Sequence, residues 1–175
     1  MQDIKFEPVP IDDLPESLRP VHDYWRQLKG TRIAPTWPEF DMLQIPLQML
    51  PFTMVKDVET DPRAYRYRFY GTGFVEMNGS DLTGGTTDDV SNSAFAAAIR
   101  ASLDVFTQQF EPCFYRVTTR IGHHHEDVQS LFRMPISDDQ ERVTSVVSIA
   151  SKHIDKNQYH EIQSTDDGWT KFSPQ

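Results

Sequence analysis

A run of three histidines gives this sequence its clearest potential for metal chemistry. His123, His124 and His125 are followed directly by Glu126 and Asp127. Imidazole and carboxylate groups bind zinc, copper or nickel, but a metal site needs three or four ligands that converge at about 2.0–2.2 Å. Adjacent residues of a strand or tight turn point in different directions. The run is therefore more typical of a solvated turn, and we expect no physiological metal site.

Glycine-rich stretches and single nucleophiles suggest two further chemistries. Free backbone N–H groups in glycine loops bind phosphates at helix starts, but residues 71–73 and 79–85 have neither a Walker lysine nor GxGxxG spacing. We interpret these glycines as turn residues that adopt a positive φ. Ser91, Ser93 and Cys113 lack the surroundings of an activated nucleophile. We therefore predict no catalytic residue.

Composition and charge narrow the classes of partner. The 175 residues include 17 Lys+Arg and 26 Asp+Glu, a net charge of −9 that opposes nucleic-acid binding. A single cysteine excludes an internal disulfide, a cysteine-based zinc finger and a protein-held iron–sulfur cluster. No window reaches the roughly 18 apolar residues of a membrane span, and the N-terminus has no apolar signal segment. We expect a cytoplasmic, soluble protein without nucleic-acid or membrane partners.

An amphipathic helix is predicted near residues 18–30. Val21, Tyr24, Trp25 and Leu28 recur at i, i+3, i+4 and i+7 and form one apolar stripe. Burying one large apolar side chain contributes roughly 1.5–3 kcal/mol, so this stripe must be covered. We expect the helix to cap the sheet and to share its Trp25 face with a second copy of the chain in a homodimer. The alternative is that it caps its own sheet alone.

Five strands and one long helix are predicted in the rest of the chain. Residues 1–17 are rich in proline and aspartate and are expected to form an irregular lead-in. Residues 91–109 form the long helix, in which apolar residues recur every three or four positions. Short helical turns are predicted at 73–89, and the strands at 52–58, 65–70, 114–121, 128–136 and 143–154.

The order of these elements indicates the fold class. Runs of strands with segregated helices are typical of an α+β antiparallel sheet. Five strands with a helical insert after the second is the PAS order, whereas the cone-shaped α+β barrel of ketosteroid-isomerase-like proteins begins with long helices. We therefore predict a PAS core at residues 51–154, an N-terminal extension at 1–50 and a polar C-terminal tail at 155–175.

Short motifs support the same assignment. They are Tyr24-Trp25, Leu28-Lys29-Gly30, Arg32, Pro35, Phe40-Asp41, Leu50-Pro51, Asp57-Val58, Tyr67-Arg68, Gly71-Thr72 and Leu82-Thr83-Gly84. As a set they resemble the small single-domain PAS proteins common in alphaproteobacteria, although Lys29 stands where that family usually has arginine. The histidine run is not part of the family pattern. The resemblance implies a PAS fold and a sensory or regulatory role, without implying a ligand.

The resemblance also allows two cofactors to be considered. Haem-binding PAS domains are expected to supply a histidine ligand from the helical region. Flavin photosensors of this fold carry a cysteine in an Asn-Cys-Arg motif before the long helix. Residues 73–110 contain neither histidine nor cysteine. Haem and flavin are therefore disfavoured, and we predict no cofactor; an unidentified small ligand and a filled core remain as alternatives.

A ligand pocket is predicted between the long helix and the sheet. Apolar walls with a few polar groups are typical of small-molecule sites, and the alternative is a filled core. The candidate residues are Phe95, Ile99 and Phe106 on the helix, Met77 and Leu82 as a lid, and Tyr67, Tyr115 and Arg116 as polar contacts.

These features predict a single-domain PAS sensor or regulator and not an enzyme. Its output is expected to pass to a signalling protein, since the sequence contains no kinase, cyclase or DNA-binding segment. One alternative is a small enzyme of the cone-shaped α+β fold that uses a buried Asp or His as a base. Another is a constitutive adaptor with a filled core. A cavity and a buried carboxylate would distinguish these alternatives.

Overall fold

The computed structural model describes residues 2–121 and 125–152. Six strands of this part of the chain form an antiparallel sheet with the order β1-β4-β5-β6-β2-β3. The strands are β1 Gln2–Val9, β2 Thr53–Thr60, β3 Arg63–Tyr70, β4 Cys113–Ile121, β5 His125–Ile136 and β6 Ser145–Lys152. The helices are α1 Arg19–Lys29, α2 Thr72–Asn78 and α3 Ser93–Phe106, and short 3₁₀ turns lie at Ile11–Asp13, Trp37–Glu39, Met42–Gln44, Leu47–Phe52 and Thr87–Asp89.

The predicted α+β class and PAS order of elements are confirmed. β2 and β3 form a hairpin, α2 and α3 follow it, and β4, β5 and β6 complete the sheet. Between β3 and β4 the chain forms α2 and α3, and β4 then pairs antiparallel with β1 and β5. The fold thus has the single helical insert that the sequence indicates.

The predicted number of five strands is wrong, because β1 adds a sixth. Residues 2–9 pair with β4 from Gln2 opposite Ile121 to Val9 opposite Phe114, where an irregular lead-in is predicted. Pro8 lies inside this strand and would disrupt a central position. β1 occupies the edge of the sheet, where ladder hydrogen bonds are needed on one side only. Ile4 and Phe6 alternate towards the core and anchor the strand.

One face of the sheet, here the outer face, is covered by α1. Val21 and Trp25 are fully buried, and Tyr24 and Leu28 pack around them. The Trp25 Nε1–H donates to the Pro135 carbonyl oxygen at 2.8 Å, which fixes the helix on β5. The buried sheet residues beneath the helix are Val55, Phe114, Phe132, Met134, Ile136, Val147 and Ile149.

The opposite face, here the inner face, is covered by α2 and α3. Leu103 and Phe106 of α3 pack on one part of it, against Tyr65, Tyr115, Val117, Leu131 and Val146. Phe74 of α2 packs on the other part, with Tyr67 and Tyr70. Ala150 of β6 contacts both groups. Because both faces are covered, the central residues of β2, β5 and β6 are buried on both sides.

The glycines of the helical insert have two different structural roles. Gly79 and Gly84 have φ angles of 72° and 83°, as predicted for turn glycines. Gly71 and Gly73 do not adopt a positive φ. A side chain at Gly71 would collide with the Pro51 backbone, and one at Gly73 would meet the Phe52 ring at 2.6 Å. These two glycines therefore allow α2 to pack closely on the segment before β2.

Candidate functional site

The predicted pocket residues lie in two neighbouring groups on the inner side of the sheet. Ile99, Phe106 and Tyr115 belong to the group under α3. Tyr67, Met77 and Leu82 belong to the group under α2. The structure therefore places six of the eight candidates between the sheet and its helical cover.

The other two pocket candidates lie elsewhere. Phe95 is half-buried near the start of α3 and belongs to neither apolar group. Arg116 is exposed, and strand alternation directs it to the face of β4 opposite Tyr115. Tyr115 and Arg116 line a groove of about 240 Å³ at the start of β4, together with Val9, Asp13 and Phe114. That groove lies apart from α2 and α3.

Two buried cations on the inner face are absent from the sequence-based candidates. Lys56 of β2 and Arg133 of β5 each expose only 2% of their surface. Both have apolar neighbours at i±2, namely Met54 and Val58 around Lys56, and Leu131 and Pro135 around Arg133. A cation between two apolar residues on one strand face is the sequence signal that could have identified these two residues. It is informative only once both faces of the sheet are known to be covered.

The Lys56 ammonium has little compensation for its charge. Its Nζ lies 3.5 Å from the Met54 sulfur, a weak acceptor, and 4.7 Å from the centre of the Tyr67 ring. Burial lowers the pKa of Lys56 to about 7, and repulsion from the Arg133 charge adds to this effect. Near neutral pH the amine is therefore divided between its charged and neutral forms.

The Arg133 guanidinium is only partly hydrogen-bonded. Its Nη2 donates to the Ser102 Oγ of α3 at 2.9 Å. Its Cζ lies 5.2 Å from the ring centres of Phe6 and Tyr115 and 5.9 Å from that of Phe106. Within the described residues, Nε and Nη1 have no hydrogen-bond partner. Burial lowers the pKa of Arg133 to about 10, against a raising effect of the Tyr115 hydroxyl.

A buried hydroxyl lies between these two cations on the sheet. Ser148 of β6 is opposite Arg133 on one side and Met54 on the other. Lys56 is opposite Val146, two residues before Ser148 on the same strand. The Ser148 Oγ is buried and lacks a partner among the described residues. We call Lys56, Arg133 and Ser148 the inner-face cluster.

Three acidic residues in α3 and in the segment just before it are engaged by other groups. Asp104 of α3 accepts from the Tyr65 hydroxyl at 2.6 Å and from Arg63 at 3.0 Å. Asp88 pairs with Arg100, and Asp89 accepts from the Thr86 backbone N–H. The buried polar residues of the described chain include no Asp, Glu or His. The inner-face cluster is therefore a region of net positive potential inside the fold.

The predicted helix residues Val21, Tyr24, Trp25 and Leu28 lie on the outer face, away from the cluster. Trp25 exposes only 1% of its surface because the chain's own sheet covers it. No exposed Trp25 surface is left for a second copy to share. Sheet capping by this helix is thus observed, whereas the homodimer stays a prediction. His123 and His124 lie outside the described residues, as does the tail at 153–175, whereas the backbone of His125 begins β5.

Comparisons with known proteins yield only distant structural similarities. No model of a known family matches the chain, and no curated protein matches its sequence. The PAS domain of Bordetella pertussis BvgS is similar over 65% of this chain and 88% of that domain, with 14% identity and a TM-score of 0.49. A light-oxygen-voltage domain studied with a flavin analogue has 12% identity and a TM-score of 0.39, over 64% of this chain and 83% of that one.

A third solved structure is an RNA-binding light-oxygen-voltage receptor. It matches 94% of this chain but only 43% of its own, with 14% identity and a TM-score of 0.42. Because all three TM-scores lie below 0.5, the fold assignment rests on this chain's own strand order. Within the described residues, no helix is both long and apolar enough to cross a membrane.

Proposed function

We propose that the chain is a sensory PAS protein of the small single-domain alphaproteobacterial type. It binds a small molecule between the inner face of the sheet and α2 and α3, and it signals through protein–protein contacts. The inner-face cluster is the observation that carries this proposal, because its buried donors lack acceptors. Unpaired buried polar groups destabilise a fold, so a core filled for stability alone would not contain them.

Contacts of Tyr67 connect the inner-face cluster to the loop before α3, so a bound ligand would affect the conformation of that loop. The Tyr67 ring faces Lys56, and the Tyr67 backbone pairs with the loop before α3. Its N–H donates to the Gly85 carbonyl oxygen at 2.8 Å, and its carbonyl accepts from the Gly84 N–H at 2.8 Å. A ligand that contacts Lys56 and Tyr67 would favour one arrangement of this loop, and that shift in population would alter the surface offered to a partner.

A binding role fits the buried groups better than a catalytic one. An enzyme of the cone-shaped α+β fold would require a buried Asp or His as its base, and the described buried polar groups are cations and hydroxyls. A constitutive adaptor would require a filled core with satisfied polar groups. Homodimerisation and a signalling partner belong to this proposal as its output, through a surface other than the Trp25 face.

Native mass spectrometry of the protein purified from its own host tests the proposal. The wild type should carry a mass excess that disappears on denaturation. Ile99→Trp places a large ring in the predicted pocket and should abolish this excess, with an unchanged circular dichroism spectrum. Ala97→Trp is the matched control, because Ala97 is exposed on the same helix. A wild type without a mass excess, or an Ile99→Trp variant that retains it, would contradict small-molecule binding at this site.

A further inference from the structure

We propose that the inner-face cluster binds a small carboxylate with an apolar body. This inference rests on the proposed function and specifies the chemical class of its ligand. The carboxylate group would lie between Arg133, Ser148 and Lys56, and the remainder of the molecule would lie among the aromatic side chains beneath α2 and α3.

Charge is the first reason for this assignment. Taking an ion out of water costs several kcal/mol per group unless an opposite charge compensates it. Lys56 and Arg133 are both buried, and Arg133 contributes repulsion at Lys56. The Phe6 and Phe106 rings near Arg133 stabilise its charge but offer no conventional acceptor, and the Tyr115 hydroxyl that interacts with it carries no compensating negative charge. A bound anion would compensate both cations at once.

Hydrogen-bonding capacity is the second reason. Lysine and arginine side chains are donors only, and an ionised carboxylate is an acceptor only. The unpartnered Nε and Nη1 of Arg133 and the Oγ of Ser148 therefore match the oxygen atoms of a carboxylate. A neutral amide would place its own N–H₂ donors against these donors.

The titratable groups around Lys56 do not supply the missing anion. Tyr67 on β3 is a neutral phenol, since burial raises its pKa, and Arg133 on β5 is a cation. β6 contributes Val146 and Ser148, which carry no charge. From the helical cover, Asp88, Asp89 and Asp104 are engaged by Arg100, Thr86, and Arg63 with Tyr65.

A carboxylate suits this site better than a phosphate or sulfate. Proteins commonly bind phosphate through free backbone N–H groups at a helix start or a glycine loop. The backbones of β5 and β6 are paired within the sheet, and β2 pairs with β6 on one side and, with a register shift between Val55 and Lys56, with β3 on the other. Side chains are therefore the main donors here. The surroundings are also aromatic and apolar, with Tyr67, Phe106 and Tyr115 nearby. Such walls favour a ligand with an apolar body.

Titration calorimetry with matched acids and amides tests the inference. The probes are butyrate, benzoate and succinate, with butyramide, benzamide and succinamide as neutral counterparts and inorganic phosphate as a competing anion. We expect at least one acid to bind ten times or more tightly than its amide and than phosphate. Near neutral pH, binding should also take up protons, because an anion beside Lys56 favours its charged form. Titrations in two buffers of different ionisation enthalpy measure this uptake.

Variants locate the binding. Lys56→Met should abolish the proton uptake and weaken acid binding at least tenfold, and Ser148→Ala should weaken it without changing the uptake. Lys5→Met is the matched control, because Lys5 is exposed on the edge strand β1. Equal binding of acid and amide, tighter binding of phosphate, or no binding of any acid would overturn the inference. A neutral co-purifying molecule that Ile99→Trp displaces would leave the sensor proposal intact, whereas absence of any bound molecule would reject the sensor proposal too.

Discussion

Replacing Lys56 by methionine should stabilise the protein, and the stabilisation should depend on pH. The folded chain lowers the pKa of Lys56 from 10.5 to about 7, chiefly through burial. One pKa unit corresponds to about 1.4 kcal/mol, so the buried charge costs the fold at most about 5 kcal/mol. Methionine has a similar length and no charge. It removes this penalty and loses only the contacts with the Met54 sulfur and the Tyr67 ring.

The sign of the pH dependence follows from proton binding. Below about pH 7 the lysine is charged in both the folded and unfolded chain, and the full penalty applies. Between about pH 7 and pH 10.5 the unfolded chain binds more protons than the folded chain, so the stability of the wild type rises with pH. Methionine has no such dependence. The advantage of the variant should therefore be largest near pH 6 and should shrink towards pH 10.

Urea unfolding at about pH 6 and pH 9 measures this effect. Since the lost contacts offset about 1–2 kcal/mol, we expect Lys56→Met to exceed the wild type by about 2–4 kcal/mol at the lower pH and by less at the higher pH. Lys5→Met should change stability by less than about 0.5 kcal/mol, as expected for an exposed pair with Glu7. A variant whose advantage is equal at both pH values, or which is less stable than the wild type at pH 6, would show that the buried Lys56 charge does not destabilise the fold.

Two further predictions concern the outer face and the assembly. Trp25→Phe should lower the free energy of unfolding in urea by about 1–3 kcal/mol, because it leaves the buried Pro135 carbonyl without its hydrogen bond. Unchanged stability would show that this hydrogen bond does not fix α1. Sedimentation velocity of the wild type at tens of micromolar should show a dimer, and a monomer under those conditions would reject the homodimer.

Elements with a strong local signal were predicted well from the sequence. The turn residues after β2 predict the hairpin, and the apolar spacing of residues 91–109 predicts α3, observed as Ser93–Phe106. β1 was missed because its proline and charged residues resemble a loop. Only its place at the sheet edge makes Pro8 acceptable, and the position of a strand in a sheet is set by the whole chain.

The candidate site was predicted in part, for a related reason. Apolar residues such as Ile99 and Phe106 follow the helical period, so sequence pattern places them on the inner side. Lys56 and Arg133 were missed because lysine and arginine are almost always exposed. Their burial depends on α1 covering the outer face while α2 and α3 cover the inner one. That arrangement is a property of the tertiary fold, which local propensity does not contain.

Buried cations without a compensating charge destabilise the fold, so their presence needs a functional reason. Proteins commonly give up stability where a binding site requires it. If Lys56→Met is more stable than the wild type and binds acids more weakly, the lysine lowers stability in order to bind a ligand. If the variant is more stable and binds acids equally well, the lysine has no ligand-binding role.

A crystal structure of the protein purified from its own host would show directly whether a ligand occupies the inner-face cluster. We expect non-protein density on the inner face, within hydrogen-bonding distance of the Arg133 Nε or Nη1, the Ser148 Oγ and the Lys56 Nζ. We also expect this density to extend beneath α2 or α3. Ordered water alone at these atoms, or side chains that fill the space completely, would contradict ligand binding at this cluster.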